Sequence, residues 1–334
     1  MKILGIETSC DETAAAIVEN GTKILASVVA TSAEMHAKTG GVIPEQAARQ
    51  QVISVLPVIE TAFKEAGLSE KDIDLVAVTV GPGLIGFLLV GIETARTLSL
   101  LWKKPVIAVN HLVAHVYANW LSESPPIFPA LALVVSGGHT DLVLMKSHGN
   151  LEWIGGTRDD AAGEAFDKCA RLLGLPYPGG PAIAKAAANF SGKKLEKFPR
   201  PMLEEKNFDW SFSGLKTAVL RSIEEKKELN VGLLAAEVQE AIVEVLVAKT
   251  LRAVKKLSPK YLLLAGGVAA NTRLREKFEE EIKKQKLDVI FRVPPPGLCT
   301  DNAAYIASCA YFLNSRVNWN ALVVNAELSI VGQV

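Results

Sequence analysis

Cysteine is scarce and unpaired in this chain. Cys10, Cys169, Cys299 and Cys309 are scattered with no Cys-x-x-Cys pair, which reads as reduced thiols in a cytoplasmic protein rather than a disulfide framework. Long apolar runs are lacking too. The longest, Leu84 to Trp102, is broken by Glu93 and Arg96, which argues against a membrane span. An acid already stands at Glu7, so no signal-peptide core is expected at the N-terminus. Neither sign of charge is in excess, because 36 Lys and Arg balance 36 Asp and Glu. A neutral chain does not hold nucleic acid tightly by itself, since that affinity rests largely on neutralising phosphates. No Walker GxxxxGK[ST] loop is present.

Histidine is equally sparse, and its placement is informative. Of the five, His36, His111, His115, His139 and His148, two stand four apart directly after the strand-like run Val106-Ile107-Ala108-Val109-Asn110. Imidazoles four apart on a helix share one face and can share a metal ion; the alternative is a pair of surface or satisfied core histidines. A zinc-protease reading needs His-Glu-x-x-His, and Leu112 occupies the glutamate's place.

An internal repeat organises the rest. Residues 2–7, 13–18 and 23–29 read as a three-strand meander, with Asn20-Gly21 as a hairpin turn. Residues 130–135, 141–145 and 151–154 repeat it, with Gly149-Asn150 as the turn. Each meander is followed by helix, strand, helix, strand, helix: 44–65, 74–80, 84–102, 105–110 and 111–121 in the first half, and 231–256, 261–265, 269–286, 288–292 and 301–313 in the second. Extra helices are expected between 160 and 226. This self-similarity predicts an α/β protein of two related domains facing a cleft. The first domain spans 1–127 and is completed by a C-terminal helix of about 301–334; the second spans 128–300.

By the repeat, the counterpart of His111–His115 is Cys299-Thr300-Asp301-Asn302. Ligands in open α/β sheets gather at the carboxyl ends of strands, so Asp301 becomes a candidate third ligand beside His111 and His115. Two imidazoles and a carboxylate suit iron(II) or zinc with positions left open. The alternative is that Thr300 or Asp301 caps the following helix. His139 is a candidate fourth ligand.

Glycine turns recur at Gly81-Pro82-Gly83, Ser136-Gly137-Gly138 and Ala265-Gly266-Gly267. Any one of them is an ordinary tight turn; together, at matching places in two halves, they favour a nucleotide site in which backbone N–H groups meet phosphate. Asp159, Asp160, Glu164 and Asp167 crowd a helix start; the helix dipole accounts for the first three but not for Asp167. Ser213-Gly214-Leu215-Lys216 has the Ser-x-x-Lys spacing of acylating serine enzymes, but Ser213 reads more simply as an N-cap. Lysines at 193–197, 255–260 and 283–286 read as solvated faces.

The motifs Glu7-Thr8-Ser9-Cys10-Asp11-Glu12-Thr13, Gly40-Gly41-Val42-Ile43-Pro44-Glu45, Gly81-Pro82-Gly83-Leu84 and His111-x3-His115 resemble the TsaD family of bacterial tRNA N6-adenosine threonylcarbamoyltransferases. So do Ser136-Gly137-Gly138-His139-Thr140, Asp160 to Lys168, Phe212 to Thr217, Ala265 to Asn271 and Cys299 to Asn302. The resemblance runs in family order from residue 1 to about 313. It implies two duplicated domains of the actin and sugar-kinase kind (RNase H-like) around a nucleotide cleft. It also implies transfer of a threonylcarbamoyl group from threonylcarbamoyl-AMP to the N6 amine of the adenosine 3′ of the anticodon. The tRNAs concerned read codons beginning with A, and AMP is released. On the same resemblance His111, His115 and Asp301 match metal ligands for one divalent ion, iron first and zinc second. Val134, Val135, Ser136, Gly137, Gly138, Asp167, Gly180 and Asn271 match adenylate-binding positions, and Asp11 and Glu12 match acids acting in transfer. The implied partners are tRNA, a TsaB-like paralogue and a TsaE-like ATPase, with a TsaC-like enzyme making the adenylate.

Three departures stand out. Arg49-Gln50-Gln51 occupies a place where the family usually reads Arg-x-His, Val113 replaces a glutamate common between the metal histidines, and the tail from Asn314 lacks the usual proline- and tryptophan-containing ending. Two other classes compete with the transferase. An ATP-dependent kinase or ATPase of the same fold would transfer phosphoryl to a small acceptor. A non-catalytic scaffold subunit would not be expected to keep both the metal set and the glycine turns.

Overall fold

The computed structural model describes residues 1–31, 43–190, 198–225 and 230–333. His36, Gly40-Gly41-Val42 and the lysines at 193–197 lie outside the described residues. The chain divides into two compact units, one built from residues 1–126 with the chain from Pro294 on, the other from Ile127–Val293.

In the first unit β1 (Lys2–Glu7), β2 (Glu12–Glu19) and β3 (Lys23–Thr31) form the meander. Helix α1 (Pro44–Ala66), β4 (Leu75–Gly81), α2 (Ile85–Trp102), β5 (Val106–Asn110) and α3 (His111–Tyr117) follow. The second unit repeats the scheme with β6 (Ala130–Val135), β7 (Thr140–Ser147) and β8 (Asn150–Gly156). The helical insertion supplies α4 (Ala162–Leu172), α5 (Gly179–Ala188) and α6 (Ser213–Glu224). Then come α7 (Val231–Leu257), β9 (Tyr261–Ala265), α8 (Thr272–Gln285) and β10 (Ile290–Arg292). The chain returns to the first unit with α9 (Ala304–Leu313) and β11 (Arg316–Val317).

The strand orders are β11-β5-β4-β1-β2-β3 and β10-β9-β6-β7-β8. In both sheets the meander is antiparallel and the next two strands join parallel to its first strand. The duplication is therefore one of topology as well as of sequence rhythm. The central strands β4 and β6 are buried along their whole length, which is why they read as unbroken apolar runs rather than alternating ones. The outer strand β3 alternates over much of its length, as expected where one face meets solvent.

Local signals set the helix ends. Pro44 opens α1, and Gly67 closes it in the left-handed conformation (φ 65°), its N–H returning to the Lys64 carbonyl. Asn110, Asn230 and Asn271 cap α3, α7 and α8 with their side-chain oxygens. Helix α2 is long and apolar enough to cross a membrane. In this fold its Phe87, Leu88, Ile92 and Ala95 are buried, while Arg96 pairs with Glu93.

The last helix does not extend over the whole tail as expected. It stops at Leu313 because Asn314 turns left-handed (φ 47°), and residues beyond form β11 on the edge of β5 and a short 3-10 turn, Trp319–Ala321. Helix α9 packs closely on the sheet because Gly5 has no side chain: a Cβ there would run into the Ala303 carbonyl. The tail then crosses the ends of β4 and β5. Asn325 N–H donates to the Val80 carbonyl at 2.8 Å, Gly83 N–H to Ala326 at 3.2 Å, and the Asn110 amide to Ser329 at 2.8 Å.

Candidate functional site

His111 and His115 stand one turn apart on α3, which begins directly at the end of β5 because Asn110 accepts the Leu112 and Val113 N–H groups. Asp301 reaches the same point from the loop before α9. The two Nε2 atoms are 3.1 Å apart, and Asp301 Oδ1 lies 3.3 Å from His115 Nε2 and 3.7 Å from His111 Nε2. One ion at about 2.1 Å from each atom requires separations of about 3.0–3.4 Å, for angles between octahedral and tetrahedral. The donor set fits a single divalent ion with only a slight closing of the His111–Asp301 gap. These three residues form one group of metal-ligating side chains within 4.8 Å of one another.

All three belong to the first unit. Asp301 stands on the segment expected to return and complete the first domain, and the chain re-enters that unit at Pro294. The capping alternative is corrected. Asn302, not Thr300 or Asp301, accepts the Ala304 and Tyr305 N–H groups at 3.0 and 3.3 Å, which leaves the Asp301 carboxylate to the imidazoles. His139 belongs to the second unit, in the turn between β6 and β7, and is not a member of the three-residue group.

Behind the imidazoles lies a carboxylate that the sequence reading gave no role. Glu7, fully buried at the end of β1, places Oε2 2.9 Å from His111 Nδ1 and accepts Thr79 Oγ1–H at 2.8 Å; its Oε1 accepts the Ser9 N–H at 2.6 Å. Such a partner keeps the proton on Nδ1 and turns Nε2 toward an ion. Tyr305, one helical turn beyond Asp301, donates its hydroxyl to Asp301 Oδ1 at 3.3 Å and lays its ring 4.7 Å from that of His115. The Asp301–Tyr305 spacing of four was the available signal for Tyr305. Nothing local marked Glu7, whose partners come from β4 and α3.

The electrostatics suit a cation. Burial opposes charge on His111, yet Glu7 and Asp301 outweigh it and push its pKa up to about 9. Burial and the neighbouring His111 charge push His115 down. For Asp301 burial acts upward, but His111 and His115 hold the carboxyl well below the usual range. Glu12 is pushed up to about 9, first by burial, then by Asp301 and by the hydrogen bond its protonated carboxyl donates to Asp11. The acidic turn between β1 and β2 thus sits beside the His111, His115 and Asp301 group.

The adenylate candidates lie in the second unit. Val134 and Val135 are interior side chains of β6, so only their backbone can meet a ligand. In the following turn Ser136 Oγ accepts His139 N–H at 3.1 Å, and Gly137 and Gly138 are exposed with open space beside each. Gly180 also faces open space, in the first turn of α5. Asp167, expected to be free of helix-end duties, accepts the Gly179 N–H at 2.6 Å and so secures the start of α5. Asn271 caps α8 and donates its amide to Gln239 at 3.0 Å. Ser213 is not an N-cap. Asp159 accepts the Phe212 and Ser213 N–H groups and both the Ser211 and Ser213 hydroxyls. The first-half turn, Gly81 to Gly86, has GxGxxG spacing between β4 and α2 but is filled by its own chain. The space beside Gly81 holds the Asn325 carbonyl and that beside Gly83 holds Ser9.

A sequence profile of the TsaD family, tRNA N6-adenosine threonylcarbamoyltransferase, matches residues 23–308. The enzyme of that name from Dehalococcoides mccartyi is 52% identical over 312 residues, 93% of each chain, and that of Bacillus subtilis is 52% identical over 92% of this chain and 89% of its own. In Kosmotoga olearia the match is 49% over 99% of both. Two solved structures share the fold at low identity. HypF from T. kodakarensis has a TM-score of 0.62 at 14% identity, over 93% of this chain and 47% of that one. The Acidaminococcus fermentans (R)-2-hydroxyglutaryl-CoA dehydratase component A has a TM-score of 0.54 at 15% identity, over 93% and 98%. The architecture is thus the duplicated α/β fold of the actin and sugar-kinase kind, and the chain belongs to the TsaD family of tRNA N6-adenosine threonylcarbamoyltransferases.

Proposed function

We propose that the chain transfers the threonylcarbamoyl group of threonylcarbamoyl-AMP to the N6 amine of the adenosine 3′ of the anticodon, in tRNAs reading codons that begin with A, and releases AMP. Family membership supports the tRNA modification. The observation that carries the chemistry is the His111, His115 and Asp301 set with Glu7 behind it. Those three residues would hold one divalent ion, iron(II) or zinc, which supplies Lewis-acid stabilisation of developing oxygen charge when bound.

The remaining tasks fall to the chain's own groups. The donor is an activated mixed anhydride and AMP leaves readily, so the demand is to position a weakly nucleophilic amine and to exclude competing water. Asp11, on the turn beside the metal-binding set, takes the amine proton as attack proceeds, and Glu12 orients it through their shared hydrogen bond. Ser136, Gly137 and Gly138 offer backbone to the adenylate phosphate, and Asp167, Gly180 and Asn271 receive the nucleoside. In this reading tRNA binding draws on a TsaB-like paralogue and a TsaE-like ATPase in the cytoplasm, which reconciles a neutral chain with a polyanionic substrate.

The test is reconstitution. The purified protein, bacterial partner proteins including a TsaC-like synthase, threonine, bicarbonate, ATP and unmodified tRNA are combined, and the digested nucleosides are analysed. Threonylcarbamoyladenosine is expected; its absence with every partner set would end this reading.

A further inference from the structure

Gln51 stands on α1, well outside the metal set, yet its side chain is directed into the turn that joins β1 to β2. It is 2% exposed. Its Nε2 lies 2.6 Å from the Cys10 carbonyl, 3.1 Å from that of Glu12 and 3.4 Å from that of Thr8. An amide has two N–H donors, so three carbonyls crowd around two hydrogens. The other end of the same amide, Oε1, is buried without a hydrogen-bond partner among the described residues. An unpaired buried acceptor costs free energy, so this side chain is not explained by comfort at its own position.

The turn it grips is where the acidic and metal-binding groups join. Ser9 donates its N–H to Glu7, and its hydroxyl lies 3.1 Å from His111 Nδ1. Asp11 and Glu12 follow, with Glu12 close enough to Asp301 to respond to its charge. The two ends of this turn are held elsewhere as well, Thr8 by its hydroxyl on the Phe87 carbonyl at 2.9 Å and Glu12 by its place opposite Thr31 at the start of β2, and Gln51 grips the stretch between them. Leu84 N–H holds the Ser9 carbonyl at 3.1 Å from the opposite flank.

We propose that Gln51 is a positioning residue for the transfer reaction: its amide clamps the Thr8–Glu12 turn so that the Asp11 and Glu12 carboxyl groups are held beside His111, His115 and Asp301. The proposal rests on the transferase reading above. It also gives the Arg49-Gln50-Gln51 departure a physical content, since a histidine at 51 would offer one N–H where glutamine offers two.

The test uses Gln51→Met, which keeps the length and removes the donor, and Gln51→His, which keeps one donor. Cys10 provides a local reporter, because it is exposed in the gripped turn while Cys169, Cys299 and Cys309 are buried. Iodoacetamide labelling of Cys10, followed by mass spectrometry, should be faster in Gln51→Met than in the parent and intermediate in Gln51→His. In the reconstituted reaction kcat should fall about ten- to hundredfold in Gln51→Met, the scale of a small misplacement of reacting groups. The KM values for tRNA and for ATP should stay near parental, metal content should be unchanged, and Gln51→His should recover most of the rate. Unchanged Cys10 labelling in Gln51→Met overturns the clamp, and so does a kcat within about twofold of the parent. Loss of rate only in proportion to lost metal or lost folded protein overturns it as well, in favour of a purely structural glutamine. Labelling needs no activity, so a parent that forms no threonylcarbamoyladenosine counts against the proposed function alone, and the labelling arm still decides whether the clamp exists.

Discussion

At the scale of single residues, the ligands and the group behind them should separate cleanly. His115→Ala should strip bound metal from the purified protein, read by elemental analysis; equal content in variant and parent would remove His115 from the ligand set. Glu7→Gln keeps all three ligands and removes the carboxylate facing His111 Nδ1. Metal affinity should then fall about 10–100-fold, the usual cost of losing such a partner, measured by competition with a chelator. Asp167→Ala makes a different demand. Loss of a ligand hydroxyl's hydrogen bond to a charged group should weaken ATP or threonylcarbamoyl-AMP binding by about 1.5–3 kcal/mol, read by calorimetric titration, with metal content parental. The same change frees the Gly179 N–H at the start of α5, so Tm should fall as well. A lowered Tm with parental nucleotide affinity would leave Asp167 as a helix-securing acid only.

At the scale of elements, α7 and α8 are tied by Arg273, whose Nε and NH2 nitrogens both donate to Glu240 at 2.9 Å. Burial acts to raise the Glu240 pKa, but Arg273 and then Lys277 outweigh it and hold the group below its ordinary 4.5. A carboxylate depressed in the folded state contributes stability above its unfolded pKa and loses it as pH falls through the folded value. Glu240→Gln should therefore cost about 1 kcal/mol near neutral pH. Below pH 4.5 the parent's Tm should fall more steeply than the variant's; parallel Tm profiles would show that the pair carries no weight. Elements of this kind were largely legible beforehand, because hydrophobic rhythm and turn residues are local. Pro44 and Gly67 bracket α1, and Asn110 and Asn271 announce α3 and α8. What stayed hidden was made by distance in sequence. Glu7 acquires its role from Thr79 and His111, and Gln51 from three carbonyls some forty residues earlier. The turn at 81–83 looked open because the tail that fills it is not readable from its own residues.

At the scale of the whole molecule, the first unit is discontinuous, and its closing piece does more than complete a sheet. Residues beyond Asn314 bind the ends of β4 and β5 through Asn325, Ala326 and Ser329. Ending the chain at Asn314 should lower Tm and reduce metal content together, seen by scanning calorimetry and elemental analysis, because Asn110 loses its anchor while still capping α3. Parental metal content in the shortened protein would show the tail to be independent of the site. The interleaving also sets an order in time. During synthesis His111 and His115 leave the ribosome with β5 and α3, whereas Asp301 follows only after the whole of Ile127–Val293. Domains fold as units as they emerge, so the second unit is complete before the first has its carboxylate ligand. A nascent chain at that stage offers two imidazoles and no carboxylate ligand, and an ion gains its full binding energy only from a finished polypeptide. If the three residues hold an ion as proposed, its loading comes after translation, and a protein cut short by a stalled ribosome or a protease before Asp301 never acquires the three-residue site.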